Sequence, residues 1–299
     1  MRVSYCEGYY VPLPEGHAFP MGKFPAFHRI LLAEGLLRTE DVVEPDVATW
    51  EQLRWVHSAD YLKKLREGLL DRKEERKMGL PWSEALVKRS RTAVGGTLLA
   101  MRMALEDGLA ANLAGGTHHA FPDHGEGFCV LNDVGVALRV LLAEGRLKRA
   151  LVVDLDVHQG NGTAAIFEHD PAVTTFSMHG ERNYPWNKER STLDVGLEDG
   201  TTDEQYLCIL DEHLPGTIDR AAPDLIVYLA GVDVLAGDRF GRLALTCRGL
   251  QARDRYLLES VRQHGTPLVL LMSGGYAKSP EETADLHATV HREARVVFG

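Results

Sequence analysis

Two runs in this chain, LIVYLAGV at 225–232 and PLVLLM at 267–272, are apolar without alternation and only as long as a strand. A strand apolar on both faces must be covered on both sides, which is the situation of a parallel sheet held between helices. Arg2–Cys6, Ala150–Asp154 and Val173–Met178 read the same way, joining Asp224–Ala230 and Pro267–Ser273 as candidate strands. Longer amphipathic stretches at 49–70, 83–107, 132–144, 202–220 and 247–264 are the candidate helices. Glu144-Gly145, Pro215-Gly216 and His264-Gly265 are expected to punctuate their ends. The alternation predicts an α/β, three-layer fold with a central, mainly parallel sheet flanked by helices. No Ser/Gly/Pro-rich linker divides the chain, so one domain over 1–299 is expected.

Charge narrows the partners. Lys plus Arg number 33 against 43 Asp plus Glu, a net charge of −10. Such a chain repels phosphate backbones and anionic lipid, so neither nucleic acid nor membrane is an expected partner. The N-terminal MRVSYCEGYYVPLPEGH lacks the apolar stretch of a secretory leader. No apolar run reaches the roughly 18–20 residues of a membrane span. Cys6, Cys129, Cys208 and Cys247 lie far apart with no CxxC pair, which fits free thiols in a reducing cytoplasm. The charge-dense KKLREGLLDRKEERK at 63–77 reads as a solvated helical face, with a docking surface for an acidic partner as the alternative.

In an open α/β sheet, ligands bind beyond the carboxyl ends of the strands. Asp154, Asp156 and His158 follow one predicted strand, Gly231-Val232-Asp233 another, and Ser273-Gly274-Gly275-Tyr276 a third. A fourth loop carries Gly115-Gly116-Thr117-His118-His119-Ala120. While the chain stays extended, the spacing of two points Asp154, Asp156 and His158 to one side. Two carboxylates and an imidazole held together call for a cation. Two oxygens and a nitrogen suit Zn²⁺ or Fe²⁺, with Asp233 supplying a further ligand and a position left open. The plainer reading, helix capping by the aspartates and packing by His158, does not explain several such residues at adjacent strand ends. Beside such a centre one of His118 and His119 can take a proton while the other stabilises charge, with Asp154 and Asn161 available to fix their tautomers. Tyr276 can donate its hydroxyl to a developing oxyanion. Gly160-Asn161-Gly162-Thr163-Ala164-Ala165 also matches a dinucleotide-binding G-x-G-x-x-A with Glu181 downstream, but Asp154 and Asp156 would repel a pyrophosphate there.

GGTHHA (115–120), GFCVLND (127–133), DLDVHQGNGT (154–163), AGVDVLAGDRFGRL (230–243) and SGGYAK (273–278) together resemble the zinc-dependent histone deacetylase family of the arginase/deacetylase superfamily. The details look most like its class IV branch and bacterial relatives. The resemblance implies an arginase/deacetylase-like fold, with Asp156, His158 and Asp233 as zinc ligands. It implies His119 as general base, His118 as its electrostatic partner hydrogen-bonded to Asp154, and Tyr276 polarising the amide. Gly127 and Phe128 would line the acyl-lysine tunnel with Tyr184 opposite, and Gly274 and Gly275 would lie against the substrate. A structural K⁺ is implied near Asp154, Asp156, His158, Ser177 and Met178.

Two positions depart from the family pattern. Asn161 stands where many deacetylases carry an Asp, so His119 is expected to be a neutral base at lower pH than in Asp-containing relatives. No certain counterpart of the rim Asp exists, and Asp60 is the candidate. The implied activity is hydrolysis of acyl-lysine, most simply acetyl-lysine, by a zinc-bound water. Alternatives are a long-chain fatty-acyl-lysine deacylase, an acetylpolyamine amidohydrolase or a non-catalytic acyl-amine binding protein. Arginase-like ureohydrolysis is disfavoured, since Tyr276 and GGTHHA have no place in it.

Overall fold

The computed structural model describes all 299 residues. In chain order its strands are β1 (Arg2–Ser4), β2 (Val42–Val43), β3 (Leu109–Asn112), β4 (Ala150–Asp154), β5 (Val173–Gly180), β6 (Leu193–Leu197), β7 (Leu225–Leu229) and β8 (Leu268–Leu271). The helices are α1 (Lys23–Ala33), α2 (Trp50–Leu53), α3 (Ala59–Glu67), α4 (Arg72–Met78) and α5 (Glu84–Asp107), followed by α6 (Asp133–Ala143) and α7 (Asn161–Phe167). The last three are α8 (Asp203–Ala221), α9 (Cys247–His264) and α10 (Pro280–Phe298).

The strands form one sheet in the order β2-β1-β3-β8-β7-β4-β5-β6, and every pairing is parallel. Helices α1, α10, α9 and α8 pack in one row, and α5, α6 and α7 in another. Every residue of β3, β4, β7 and β8 is buried, which is why β4, β7 and β8 read as apolar runs without alternation. The expected α/β architecture is present, and β4 has the predicted limits.

Elsewhere local chemistry overrides the periodicity. The expected helix 49–70 is two helices, because Thr49 closes a capping box with Gln52 and Ser58 accepts from the Tyr61 amide to start a second one. The 63–77 stretch is not one face: α3 stops at left-handed Gly68, and Asp71 begins α4 through a capping box with Glu74. Pro215-Gly216 ends nothing, since α8 runs through it. Burial of Tyr206, Leu210, Leu214 and Ile218 along one face of that helix outweighs the roughly 3 kcal/mol that an internal proline costs. No helix is long and apolar enough to cross a membrane.

Candidate active site

Strands β3, β8, β7 and β4 are consecutive in the sheet, so the four polar loops that follow them open at one place. Buried Arg253 of α9 fastens two of them, donating through Nη1 to the carbonyls of Gly231 at 2.7 Å and Leu155 at 3.2 Å. Asp133 shapes a third. Its carboxylate accepts from the Gly116 amide at 3.0 Å and the Thr117 amide at 2.7 Å, setting the turn that presents His118 and His119. Asp238 holds the fourth, accepting from the Tyr276 amide at 2.7 Å.

Asp156, His158 and Asp233 are all buried and offer donor atoms that lie within 4.8 Å of one another. Asp156 Oδ2 accepts from the Gly274 amide at 2.6 Å and from Ser273 Oγ at 2.7 Å, and Asp233 Oδ1 accepts from the Val157 amide at 3.0 Å. His158 Nδ1 stands 3.0 Å from Asp156 Oδ1. Asp233 Oδ2 lies 3.3 Å from the same nitrogen but outside hydrogen-bond geometry, and is left buried without a partner. A Cβ on Gly274 would come within 2.0 Å of Asp233 Oδ2, so only glycine closes this corner. Burial works against a charged imidazole, yet Asp156 and Asp233 outweigh it and raise His158 to about 10. Burial and the Asp156 charge together raise Asp233 to about 6. The set demands positive charge, and carboxylate, imidazole and carboxylate are donors that suit a divalent transition metal. The residues fit the ion.

The two histidines have different partners. His118 Nδ1 is 2.7 Å from Asp154 Oδ2. Burial opposes its protonation, but Asp154 and Asp156 prevail and raise it to about 9. His119 Nδ1 is 2.7 Å from Asn161 Oδ1, and burial, with His118 and His158 adding to it, lowers this ring well below the ordinary value. Burial and the neighbouring imidazoles lower it, while the Asn161 bond acts in the opposite direction. Behind Asn161 lies a residue that the motifs did not reveal. Glu126 accepts from Asn161 Nδ2 at 3.0 Å and from the Tyr184 hydroxyl, and pairs with Lys77 Nζ at 2.9 Å. Burial opposes its ionisation, but hydrogen bonds from His124, Tyr184, Lys77 and Asn161 hold it well below the usual carboxylate range.

A cavity of about 480 Å³ reaches from the surface to His119 and His158, walled by Gly127, Phe128, Tyr184, Phe240 and Tyr276. Phe128, at φ 66°, and Phe240 lie 5.9 and 4.8 Å from the Tyr276 ring, measured between centroids. Phe240 was not anticipated. An adjoining space of only about 40 Å³ lies among His118, His119, Asp156, His158, Lys23 and Gly274. Gly275 lines neither space, because Val232 and His287 fill the position its side chain would take.

Ser177 is in register with Asp154 on the neighbouring strand, and its Oγ is 2.9 Å from His179 Nδ1, with Met178 buried beside it. Asp60 does not line the cavity; it is exposed in the first turn of α3, 3.5 Å from Lys64 Nζ. The G-x-G-x-x-A turn closes on protein. A Cβ at Gly160 would meet Asp154 Oδ2 at 2.4 Å and one at Gly162 the Ala120 carbonyl at 2.3 Å, leaving no berth for a pyrophosphate.

The chain matches the histone deacetylase domain over residues 17–292. It is 48% identical to an uncharacterized protein of Picosynechococcus sp., covering 99% of each chain. It is 35% identical to histone deacetylase 2 of Arabidopsis thaliana, over 93% of this chain and 75% of that one. The crystal structure of the HDA15 HD domain superimposes with a TM-score of 0.80 at 21% identity, covering 97% of this chain and 87% of the other. The fold is of the arginase/deacetylase-like α/β class. Within it, this chain belongs to the histone deacetylase family of hydrolases.

Proposed function

We propose that the protein is a metal-dependent amidohydrolase that removes an acyl group, most simply acetyl, from acyl-lysine or a similar acyl-amine. One observation carries this reading: His119, His158 and Tyr276 all line a single 480 Å³ cavity open to the surface. Asp156, His158 and Asp233 would hold the metal, Zn²⁺ or Fe²⁺, which when bound polarises an amide carbonyl and acidifies water. Asn161 keeps the His119 proton on Nδ1, so Nε2 is free to take a proton from the attacking water and return it to the departing amine. The Asp154-paired His118 keeps positive charge beside the oxyanion that forms. Tyr276 OH donates to the same oxygen, with the Asp238 bond to its amide fixing the turn that carries it.

Gly127, Phe128 and Tyr184 guide the alkyl chain of lysine, and Gly274 gives the acyl end close approach. The adjoining space of about 40 Å³ is small for a fatty chain, which favours acetyl over myristoyl. Asp154, Asp156 and Ser177 with the His158 and Met178 backbone are an oxygen-rich set that suits K⁺ as a brace under the site. The same reading takes 1–299 as one catalytic domain in the cytoplasm, where four free thiols would persist.

The test is turnover of an acetyl-lysine and a myristoyl-lysine peptide by metal-loaded wild type and Tyr276→Phe. Faster turnover of the acetyl peptide is expected, with kcat lowered about 10²–10³-fold in the variant. Wild-type kcat in Tyr276→Phe would remove that residue from the chemistry.

A further inference from the structure

The opening of the cavity carries charge opposite to that of the whole chain. Arg76, Lys77, Arg182, Arg239 and Arg242 line it, and no Asp or Glu does, in a protein whose net charge is −10. Lys77 is neutralised by Glu126 at 2.9 Å, and Arg242 reaches Asp199 at 3.4 Å. The others have no carboxylate partner. Arg76 donates Nε only to the Arg72 carbonyl of its own helix, Arg239 lies 5.3 Å from the Phe240 ring centroid, and Arg182 is exposed. Trp186, 74% exposed, stands at the same opening.

A lone unpaired surface arginine is ordinary. Here α4, the 182–186 turn and the 239–242 loop bring theirs to one concave opening, where low-dielectric walls focus the field. Arginine and tryptophan are also the side chains that carry most recognition energy when a partner covers them. The cations ring the surface while His119 and His158 form the floor, so the charge they attract belongs to the carrier of the amine and not to the acyl group. Their spread over separate segments suits several anionic groups along an extended chain better than one small anion.

We propose that the substrate's amine half is an acidic peptide: an acyl-lysine flanked by Asp or Glu, whose carboxylates meet Arg76, Arg182 and Arg239 and whose backbone crosses Trp186. This deepens the deacylase reading and rests on it. A polyamine or a Lys/Arg-rich tail is repelled at this opening, whatever the net charge of the protein suggests.

The experiment measures binding and turnover separately. Three fluorescent peptides carry a central acetyl-lysine flanked by Glu, Gln or Lys, and anisotropy gives Kd with the metal-loaded protein. The Glu peptide should bind about tenfold more tightly than the Gln peptide at about 50 mM NaCl, with the gap shrinking towards twofold near 500 mM as screening shortens. In Arg182→Gln/Arg239→Gln the advantage of the Glu peptide over the Gln peptide should largely vanish, and the ratio is read within one variant so that folding differences cancel. Equal or tighter binding of the Gln or Lys peptide overturns the proposal, as does an acidic preference that survives in the double variant. If the Glu peptide binds preferentially and no peptide is deacetylated, the acidic-peptide assignment stands and the deacylase reading falls. Deacetylation without acidic preference gives the reverse.

Discussion

Asn161 Nδ2 donates to Glu126 Oε1 at 3.0 Å while Asn161 Oδ1 faces His119 Nδ1 at 2.7 Å. A carboxylate thus stands one amide away from the proposed base. Because Glu126 can only accept, the Asn161 carbonyl has to face the imidazole, and the imidazole has to carry its proton on Nδ1. Asn161→Asp sets two carboxylates against each other in a buried place, and kcat is expected to fall about 10–100-fold with little change in KM. Adding Glu126→Gln supplies an amide donor again and should recover most of the loss. Full activity in Asn161→Asp alone, or no recovery in the double variant, would show that Glu126 does not orient the site.

Acid should unfold the protein partly through His57. Its Nδ1–H donates to the Phe121 carbonyl at 3.0 Å and its Nε2 accepts from the Asn132 amide at 3.0 Å, a pairing only the neutral ring can make. Burial lowers its pKa to about 4. In the unfolded chain it titrates near 6.5, so between these values the unfolded state binds more protons. Stability is complete above about pH 6.5 and is lost as pH falls towards 4, by on the order of 3 kcal/mol. Buried His179, lowered to about 4, and His291, lowered to about 3, act in the same direction. Urea titrations from pH 7 to 4.5 should show a steeper loss in wild type than in His57→Gln. Parallel slopes would assign the acid sensitivity elsewhere.

Arg253 carries a buried charge that Asp254 has to match. It is fully buried, pairs with Asp254 at 2.8 Å, and shares that carboxylate with the Tyr228 hydroxyl at 2.6 Å. Arg253→Met leaves Asp254 charged and unpaired, which should cost about 3–5 kcal/mol. Removing both charges in Arg253→Met/Asp254→Leu should return most of that stability. A single variant within about 1 kcal/mol of wild type by denaturation would contradict this role.

The candidate metal donors are legible because β4, β7 and β8 are bare apolar runs, so the polar residues after them stand out, and spacing by two assigns Asp156 and His158 a side. Strand β3 was missed because Leu-Ala-Ala-Asn has no β-branched residue; it is a strand only through its pairing with β1 and β8. Glu126 and Asp238, the latter within AGVDVLAGDRFGRL, take no role from the sequence because their partners lie 35 and 38 positions away, and no local pattern signals a bond of that span. The positive opening was hidden by the sum of charges, which carries no information about where Arg182 and Arg239 are placed. Asp60 is placed by a local signal of the opposite kind, since Ser58 ends the expected long helix and starts α3 with Asp60 in its first turn.

Asp156, His158 and Asp233 are proposed to hold one ion on which amide hydrolysis depends. The direct measurement is acetate release from an acetyl-lysine peptide as metal-free protein is titrated with Zn²⁺. Activity should rise in proportion to added metal, level off at one equivalent per chain, and stay near background throughout in Asp233→Asn. Turnover equal in metal-free and loaded protein, or no acetate release at any loading, would rule out a metal-dependent deacetylase.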